Sequence, residues 1–162
     1  MNELIENAVL TGEKNYEAAL NQLIQKAERE LLIFDQDFGK GGYASLKRFE
    51  LIRDFLAKDH QNKLVIVLQD AGYFITQCPR LFQLLVTYSH VMTVYQANDN
   101  AKVAKDNFVI ADQRHYLRRF HIDQARFKYA FDDIETVNML NMRFDELLQE
   151  TSHTISITAL GL

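Results

Sequence analysis

Four aspartates follow apolar segments at positions where strands are predicted to end. They are Asp35, Asp37, Asp70 and Asp112. Ligands of open α/β sheets bind outside the carboxyl ends of strands, so these carboxylates are candidates to converge on one edge and hold Mg²⁺. Strand-end aspartates also form turns and cap helices, and we favour that interpretation. We therefore predict no metal site and no cofactor.

A glycine-rich segment, residues 39–42, follows the first predicted strand and precedes a predicted helix. Backbone amides in this position can cradle a phosphate group. The segment lacks the Gly-Lys-Ser/Thr ending of a P-loop and the G-x-G-x-x-G pattern of dinucleotide-binding proteins, which favours a flexible turn. Lys40 is kept as a candidate anion-binding residue.

The five histidines and the single cysteine form no catalytic or metal-binding pattern. No two histidines are three or four residues apart, the spacing that builds a metal site on a helix. Cys78 has no neighbouring histidine in sequence, and one cysteine excludes an intramolecular disulfide. We predict that most of the histidines are surface or loop residues, that Cys78 is a structural thiol and that the compartment is reducing.

Positive charge is concentrated between residues 114 and 128, where basic and aromatic residues are interleaved. The candidate ligand-binding residues here are Arg114, Arg118, Arg119, Arg126 and Lys128. Arginine and aromatic side chains recognise phosphate and nucleic acid through bidentate hydrogen bonds and base stacking. The same residues can pair with Asp112 and the acidic residues 132–135, or line a subunit interface, and we favour that structural role.

The elements that must position these residues follow from the apolar patterns. Three- and four-residue spacing predicts helices over residues 15–27, with Asn15 as N-cap, and over 46–56, 79–89 and 134–148, the last capped by Asp132 or Asp133. Continuous apolar runs predict strands at 31–34, 64–68, 92–95 and 108–111, antiparallel additions within 114–131, and a strand at 154–157. This order predicts an α/β fold with a mixed, largely parallel sheet and helices on both faces.

The composition is that of an ordinary globular protein. The 162 residues are 48% hydrophobic and 25% charged, which predicts a single domain over 1–162. A net charge of -4 gives no global reason to bind nucleic acid, so a nucleic-acid partner is not favoured and would require a local patch. No signal peptide or apolar run of about 20 residues is present, so we predict a cytoplasmic protein with no membrane partner.

Residues 105–112 have the length and hydrophobic pattern of the H-x-K-x-x-x-x-D signature of the phospholipase D family. The segment resembles a degenerate copy of that motif. Lys105 occupies the position of the nucleophilic histidine, Asn107 that of the phosphate-binding lysine, and Asp112 retains the aspartate. The order of elements is similar to one phospholipase D-like repeat, and residues 144–148 are similar to the family's F-x-x-L-W region.

In this family the reaction proceeds through a covalent phosphohistidine, and the lysine stabilises charge on the phosphoryl oxygens. The resemblance therefore implies a bacterial-type, single-repeat domain with no assigned catalytic residue. Because active members use two motif copies, it also implies a homodimer. We predict a non-catalytic domain that binds an anionic, phosphate-containing ligand or a protein partner.

Two alternatives stay open. One is a phosphodiesterase or nuclease with an altered site, in which Asp112, Lys105 and either His115 or His121 transfer protons. The other is a structural or regulatory homodimeric module. A single pocket formed by Lys105, Asn107, Arg118 and Arg126 would favour anion binding, and dispersal of these side chains would favour an interaction module.

Overall fold

The computed structural model describes residues 4–155, without the side chains of Lys102 and Ser152. Its strands are β1 (Leu10–Thr11), β2 (Glu30–Asp35), β3 (Lys63–Leu68), β4 (Met92–Ala97), β5 (Asn107–Ala111), β6 (His115–His121), β7 (Gln124–Ala130) and β8 (Thr151–Thr154). Its helices are α1 (Glu13–Lys26), α2 (Leu46–Lys58), α3 (Gly72–Gln77), α4 (Pro79–Thr87) and α5 (Ile134–Gln149), with a short 3-10 helix at Asp99–Val103.

The eight strands form one sheet in the order β1-β7-β6-β5-β2-β3-β4-β8. β2, β3 and β4 are parallel because helices connect them in sequence, whereas β5, β6 and β7 are joined by short turns that permit only antiparallel pairing. β5 is also antiparallel to β2. The mixed α/β class is confirmed, but the sheet is less parallel than predicted.

Helices cover both faces of the sheet, as predicted. α1, α2, α3 and α4 pack on one face, where the larger core cluster includes Leu20, Ile33 and Ile66. α5 packs on the opposite face over a smaller cluster that includes Phe108 and Phe144. We call these the inner and the outer face. β2 and β3 contribute buried residues to both, which explains their continuous apolar sequences.

The predicted helices and strands are present, with shifted ends. The first helix begins at Glu13 with Gly12 as N-cap, and the Asn15 side chain instead donates to the Thr11 carbonyl. Asp133 caps α5 by accepting a hydrogen bond from the Thr136 amide at 3.1 Å. The last strand is predicted at 154–157 and is observed at Thr151–Thr154, so the two overlap only at Thr154. Ile155 follows the strand, and residues 156 and 157 are outside the described residues.

Several features escaped the sequence patterns. β1 is only two residues long, and α3 and the 3-10 helix are too short to show a periodicity. In the described part of the chain, no helix is long and apolar enough to cross a membrane.

Candidate functional site

The residues of the segment that resembles the signature motif lie at opposite edges of the sheet. Asn107 begins β5 and Asp112 follows its last residue, so the strand separates them by about 17 Å. Because β5 is antiparallel to β2, Asn107 lies at the same edge as Asp35, Asp37 and Asp70, and Asp112 lies at the other. The four aspartates therefore do not converge. Within residues 4–155, no group of three or more His, Cys, Asp or Glu residues is placed to hold a metal ion.

Asp112 has a structural role in this fold. Its carboxylate accepts hydrogen bonds from the backbone amides of Glu28, Arg29 and Glu30, the last two at 2.8 and 3.0 Å. Its backbone is left-handed, with φ of 57°. The motif aspartate thus holds the chain at the start of β2 and lies far from the other two motif positions.

Asn107 is the centre of a buried polar cluster on the inner face. Its side chain is 1% exposed, and its Oδ1 accepts a hydrogen bond from the Gln36 amide at 3.0 Å. Its Nδ2 forms no well-aligned hydrogen bond among the described residues, although the Asn107 side chain interacts with the Tyr16 hydroxyl, where burial raises the pKa and this interaction acts to lower it. Lys105, by contrast, is exposed at the same edge, where its backbone carbonyl accepts from the Ile122 amide. The two motif positions therefore have different environments.

Asp35 contributes a buried carboxyl group to this cluster. The residue is 1% exposed, and its Oδ1 accepts hydrogen bonds from the amides of Phe38 and Asp37 at 2.8 and 3.2 Å. Burial raises the pKa of Asp35 to about 7, although these amides and Arg119 act in the opposite direction. Burial also raises the pKa of the neighbouring Tyr16 hydroxyl, and the Asp35 charge adds to that effect.

Arg119 closes the cluster from β6. Its guanidinium is fully buried and forms two hydrogen bonds to the Glu13 carboxylate, at 2.6 and 2.9 Å. It also donates to the carbonyls of His121 and Ile122 and lies 5.0 Å from the centre of the Tyr16 ring. The hydrogen bond from Arg119 lowers the pKa of Glu13. Arg119 is thus committed to contacts within the protein.

The glycine-rich segment folds over the same cluster. Tyr43 stacks on Phe38 with ring centres 3.9 Å apart, and Arg48 donates to the Gly41 carbonyl at 2.8 Å. A Cβ at Gly41 would lie 3.2 Å from the rings of both Tyr16 and Tyr43, and Gly41 has a φ of 90°, so only glycine fits there without strain. Lys40 is exposed in this loop.

Tyr43 and Arg48 each carry a buried polar atom, the Tyr43 hydroxyl and the Arg48 Nε, that has no hydrogen-bond partner within residues 4–155. With the Asn107 Nδ2, these are three unpaired polar atoms in one region of the core. The sequence patterns did not find Tyr16, Tyr43 or Arg48. The available signal was a polar or ionisable residue at an otherwise apolar helix or loop position, but such residues are usually exposed.

The basic segment divides between the two faces of the β6–β7 hairpin. Arg118 and Lys128 are cross-strand partners, and Arg126 lies two residues from Lys128, so all three point to the outer face. Phe120 joins them, since the Arg118 guanidinium lies 5.3 Å from the centre of its ring. We call these four residues the hairpin face. α5 covers Tyr116 and Ala130 at one end of the hairpin and leaves the hairpin face at least partly exposed.

An ion-pair network borders the hairpin face. Asp106 is 5% exposed and accepts hydrogen bonds from Arg143 of α5 and, at 2.9 Å, from Arg118. Burial acts to raise the pKa of Asp106, but the two arginines lower it overall. Arg126 and Lys128 form no ion pair within the described part of the chain. The hairpin face therefore carries uncompensated positive charge.

The remaining predicted residues lie elsewhere. Arg114 pairs with Asp132 at the opposite edge, where the buried His115 accepts from the Asp132 amide at 3.0 Å. His121 is exposed at the last position of β6. Lys105, Asn107, Arg118 and Arg126 thus do not surround one pocket, and the proton-transfer group of Asp112, Lys105 and a histidine is not assembled. This dispersal excludes a single anion pocket of these four residues and favours an interaction module, and only Arg118 and Arg126, together with Lys128, share a face where an anion could bind.

Comparison with protein families identifies the chain. Residues 12–160 match the family described as "Domain of unknown function (DUF7931)". The chain belongs to this family. Comparison with curated proteins finds no match.

Solved structures share this fold. Nuc, a phospholipase D family member from Salmonella typhimurium, is similar with a TM-score of 0.64 at 9% identity, over 90% of this chain and 96% of that chain. NucT from Helicobacter pylori is similar with a TM-score of 0.61 at 15% identity, over 89% of this chain and 96% of that one. The fold is therefore phospholipase D-like.

An archaeal chromatin protein, TrmBL2, is also similar, with a TM-score of 0.67 at 12% identity. The match covers 90% of this chain and 52% of TrmBL2, so the chain spans about half the length of that protein. The work describing TrmBL2 reports a novel mode of DNA binding. At these identities the three likenesses concern the fold alone.

Proposed function

We propose that this chain is a non-catalytic, single-repeat phospholipase D-like domain that binds a phosphate-containing anion on the hairpin face. The observation that carries the proposal is the unpaired positive charge of Arg126 and Lys128, next to Arg118, on the surface of a protein whose net charge is -4. Exposed cations grouped on one face raise the local concentration of anions and provide donors for phosphate oxygens.

The chemistry of the motif positions supports the absence of catalysis. An asparagine amide supplies no positive charge to a phosphoryl group, and Asn107 is buried with its Oδ1 already bonded to the Gln36 amide. A lysine at position 105 cannot form a phosphohistidine intermediate. Position 105 thus lacks the histidine nucleophile and position 107 lacks the lysine charge, which supports a non-catalytic domain.

The structural neighbours are compatible with an anionic polymer as ligand. DNA binding by TrmBL2 shows one use of a protein that contains this fold. The proposal does not require the motif edge, because the hairpin face lies on the other side of the sheet from the Asn107 side chain.

Binding is tested with inorganic polyphosphate by isothermal titration calorimetry at low salt. We expect the double variant R126A/K128A to lose affinity about tenfold or more, since two phosphate contacts are removed. The matched control K47A/K63A removes two exposed lysines elsewhere and should bind within about twofold of the parent. Absent binding, or equal losses in both variants, would refute the proposal.

Catalysis is tested separately with generic phosphodiesters and nucleic acids, with and without divalent metal. We expect no cleavage. Robust activity that Lys105→Ala abolishes would show that the domain is an enzyme.

The remaining parts of the proposal concern organisation. We propose a homodimer, because a single motif copy resembles half of a paired site, and we propose a single domain that acts in the cytoplasm. Sedimentation equilibrium of the full chain measures whether it forms a homodimer. A strictly monomeric mass at concentrations up to those used for the binding assay would contradict the homodimer.

A further inference from the structure

Phe120 differs from the other phenylalanines of the chain. Of the eleven, ten lie in one of the two core clusters or pack against one, and Phe120 alone belongs to neither. It is half-buried on the hairpin face. Full burial of a phenylalanine in the core stabilises a fold by about 1.5–3 kcal/mol, and this half-buried residue obtains only part of that stabilisation. Packing in either core cluster therefore does not account for the position of Phe120.

An irregularity in the hairpin places Phe120 among the cations. Arg119 pairs with Phe127 and His121 pairs with Gln124, so two residues of β7, Ala125 and Arg126, lie opposite Phe120. A bulge of this kind bends the strand and redirects side chains. Arg126 thereby lies across the hairpin from the aromatic ring.

Arg118 supports one side of the ring. Its guanidinium carbon lies 5.3 Å from the centre of the Phe120 ring, and Asp106 holds its Nε at 2.9 Å. The arginine is fixed in turn because Asp106 is also bound by Arg143. An aromatic ring held in this way is pre-organised for stacking, so little conformational entropy is lost on binding.

Single-stranded nucleic acid has the two chemical features that this surface matches. A base presents an apolar π face to an aromatic ring, and the backbone presents phosphates to neighbouring cations. A duplex offers its phosphates but keeps its bases stacked on one another, and inorganic polyphosphate offers phosphates alone. Stacking on Phe120 is therefore expected for single-stranded nucleic acid and not for a duplex or for polyphosphate.

We propose that the hairpin face binds single-stranded nucleic acid, with a base stacked on Phe120 and adjacent phosphates contacted by Arg126 and Lys128. This inference rests on the proposed anion-binding function and names its ligand. The buried Arg119 and Asn107 on the inner face have no part in it.

The test measures fluorescence anisotropy of the full chain with a labelled oligothymidylate of about 12 nucleotides, and competition by the matching duplex and by polyphosphate. Phe120→Leu keeps an apolar side chain but removes the π face. We expect it to weaken oligothymidylate binding about tenfold and to leave polyphosphate binding unchanged. Phe120→Tyr should restore binding. Phe82→Leu, in a half-buried phenylalanine packed against the inner core, is the matched control and should bind normally.

The outcomes separate the inference from the proposed function. Binding that is weaker for the duplex, that Phe120→Leu impairs and that Phe120→Tyr restores supports the inference. If polyphosphate binds but Phe120→Leu changes nothing, or if the duplex binds as well as the single strand, the inference is wrong and anion binding stands. If no polyanion binds, both are wrong. Thermal unfolding of each variant checks that it is folded.

Discussion

Arg118 and Arg119 are adjacent in β6 and have opposite environments. The Arg119 side chain points to the inner face, where it is fully buried and bonded to Glu13. The Arg118 side chain points to the outer face and is 40% exposed. Both contact a carboxylate and an aromatic ring. The difference shows that strand alternation, more than local sequence, decides which arginine lies in the core and which faces the surface.

The two arginines should therefore differ in their effect on stability. Arg119→Ala removes a buried cation with four hydrogen bonds, and we expect it to lower the free energy of unfolding by about 4 kcal/mol. Arg118→Ala, the matched change on the outer face, should cost about 1 kcal/mol or less because its partner Asp106 keeps Arg143. Urea denaturation at neutral pH measures both. Equal losses would remove the distinction between the faces.

The inner face should also make stability depend on pH. The pKa of Asp35 is raised to about 7 in the folded protein, from 3.8 for an exposed aspartate, so the folded state binds the proton more tightly. The stability that Asp35 contributes is then fully present below about pH 4 and is lost as pH rises through about 7. Between pH 5 and pH 8 the ionisation of Asp35 should lower the free energy of unfolding by roughly 3 kcal/mol.

Asp35→Asn keeps an oxygen acceptor for the Phe38 amide and removes the titration, so its stability should change much less over this range. His115 acts in the opposite sense, because burial lowers its pKa below 6.5 in the folded protein. Its contribution to the free energy of unfolding therefore rises with pH up to about 6.5. Urea denaturation from pH 5 to pH 8 should therefore be repeated in the His115→Gln background. If the His115→Gln variant with Asp35 intact is more stable at pH 8 than at pH 5, the predicted loss of stability from Asp35 is wrong.

A smaller effect is expected at Tyr43. Its hydroxyl is buried without a hydrogen-bond partner in the described part of the chain, so Tyr43→Phe should raise stability by about 1 kcal/mol. Tyr43→Leu, which removes the stacking on Phe38, should instead be destabilising by about 2 kcal/mol. Thermal unfolding distinguishes the two. Destabilisation by Tyr43→Phe would show that the hydroxyl has a partner in solution.

The candidate site was only partly predictable from the sequence. The basic segment was identified, and three of its five cations, Arg118, Arg126 and Lys128, share one face. The sequence could not separate them from Arg119, because the separation requires the strand phase, and the hairpin contains a bulge that alternation does not reveal. The aspartates at strand ends were recognised, but their convergence depends on strand direction, and β5 runs against β2.

The inner cluster was missed for a different reason. Tyr16 and Tyr43 come from a helix and a loop. Burial raises the pKa of both hydroxyls, and both lie close enough to Asp35 for its charge to add to that effect. Arg48, from a second helix, contacts the Tyr43 ring, and none of these long-range contacts has a local pattern. The unpaired polar atoms of this region are likewise a property of packing. Only the folded chain shows which polar groups have lost contact with water.

Local pattern determined the class of fold, because apolar periodicity reports which face of each element is buried, and it identified a segment that resembles the signature motif but has Lys105 and Asn107 at the positions of its histidine and lysine. Tertiary structure decided the rest. The direction of β5 placed Asn107 beside Asp35 and moved Asp112 to the far edge, and the phase of β6 buried Arg119 while leaving Arg118 beside Phe120. These outcomes follow from strand pairing between residues distant in the chain, and no short segment of the sequence contains that information.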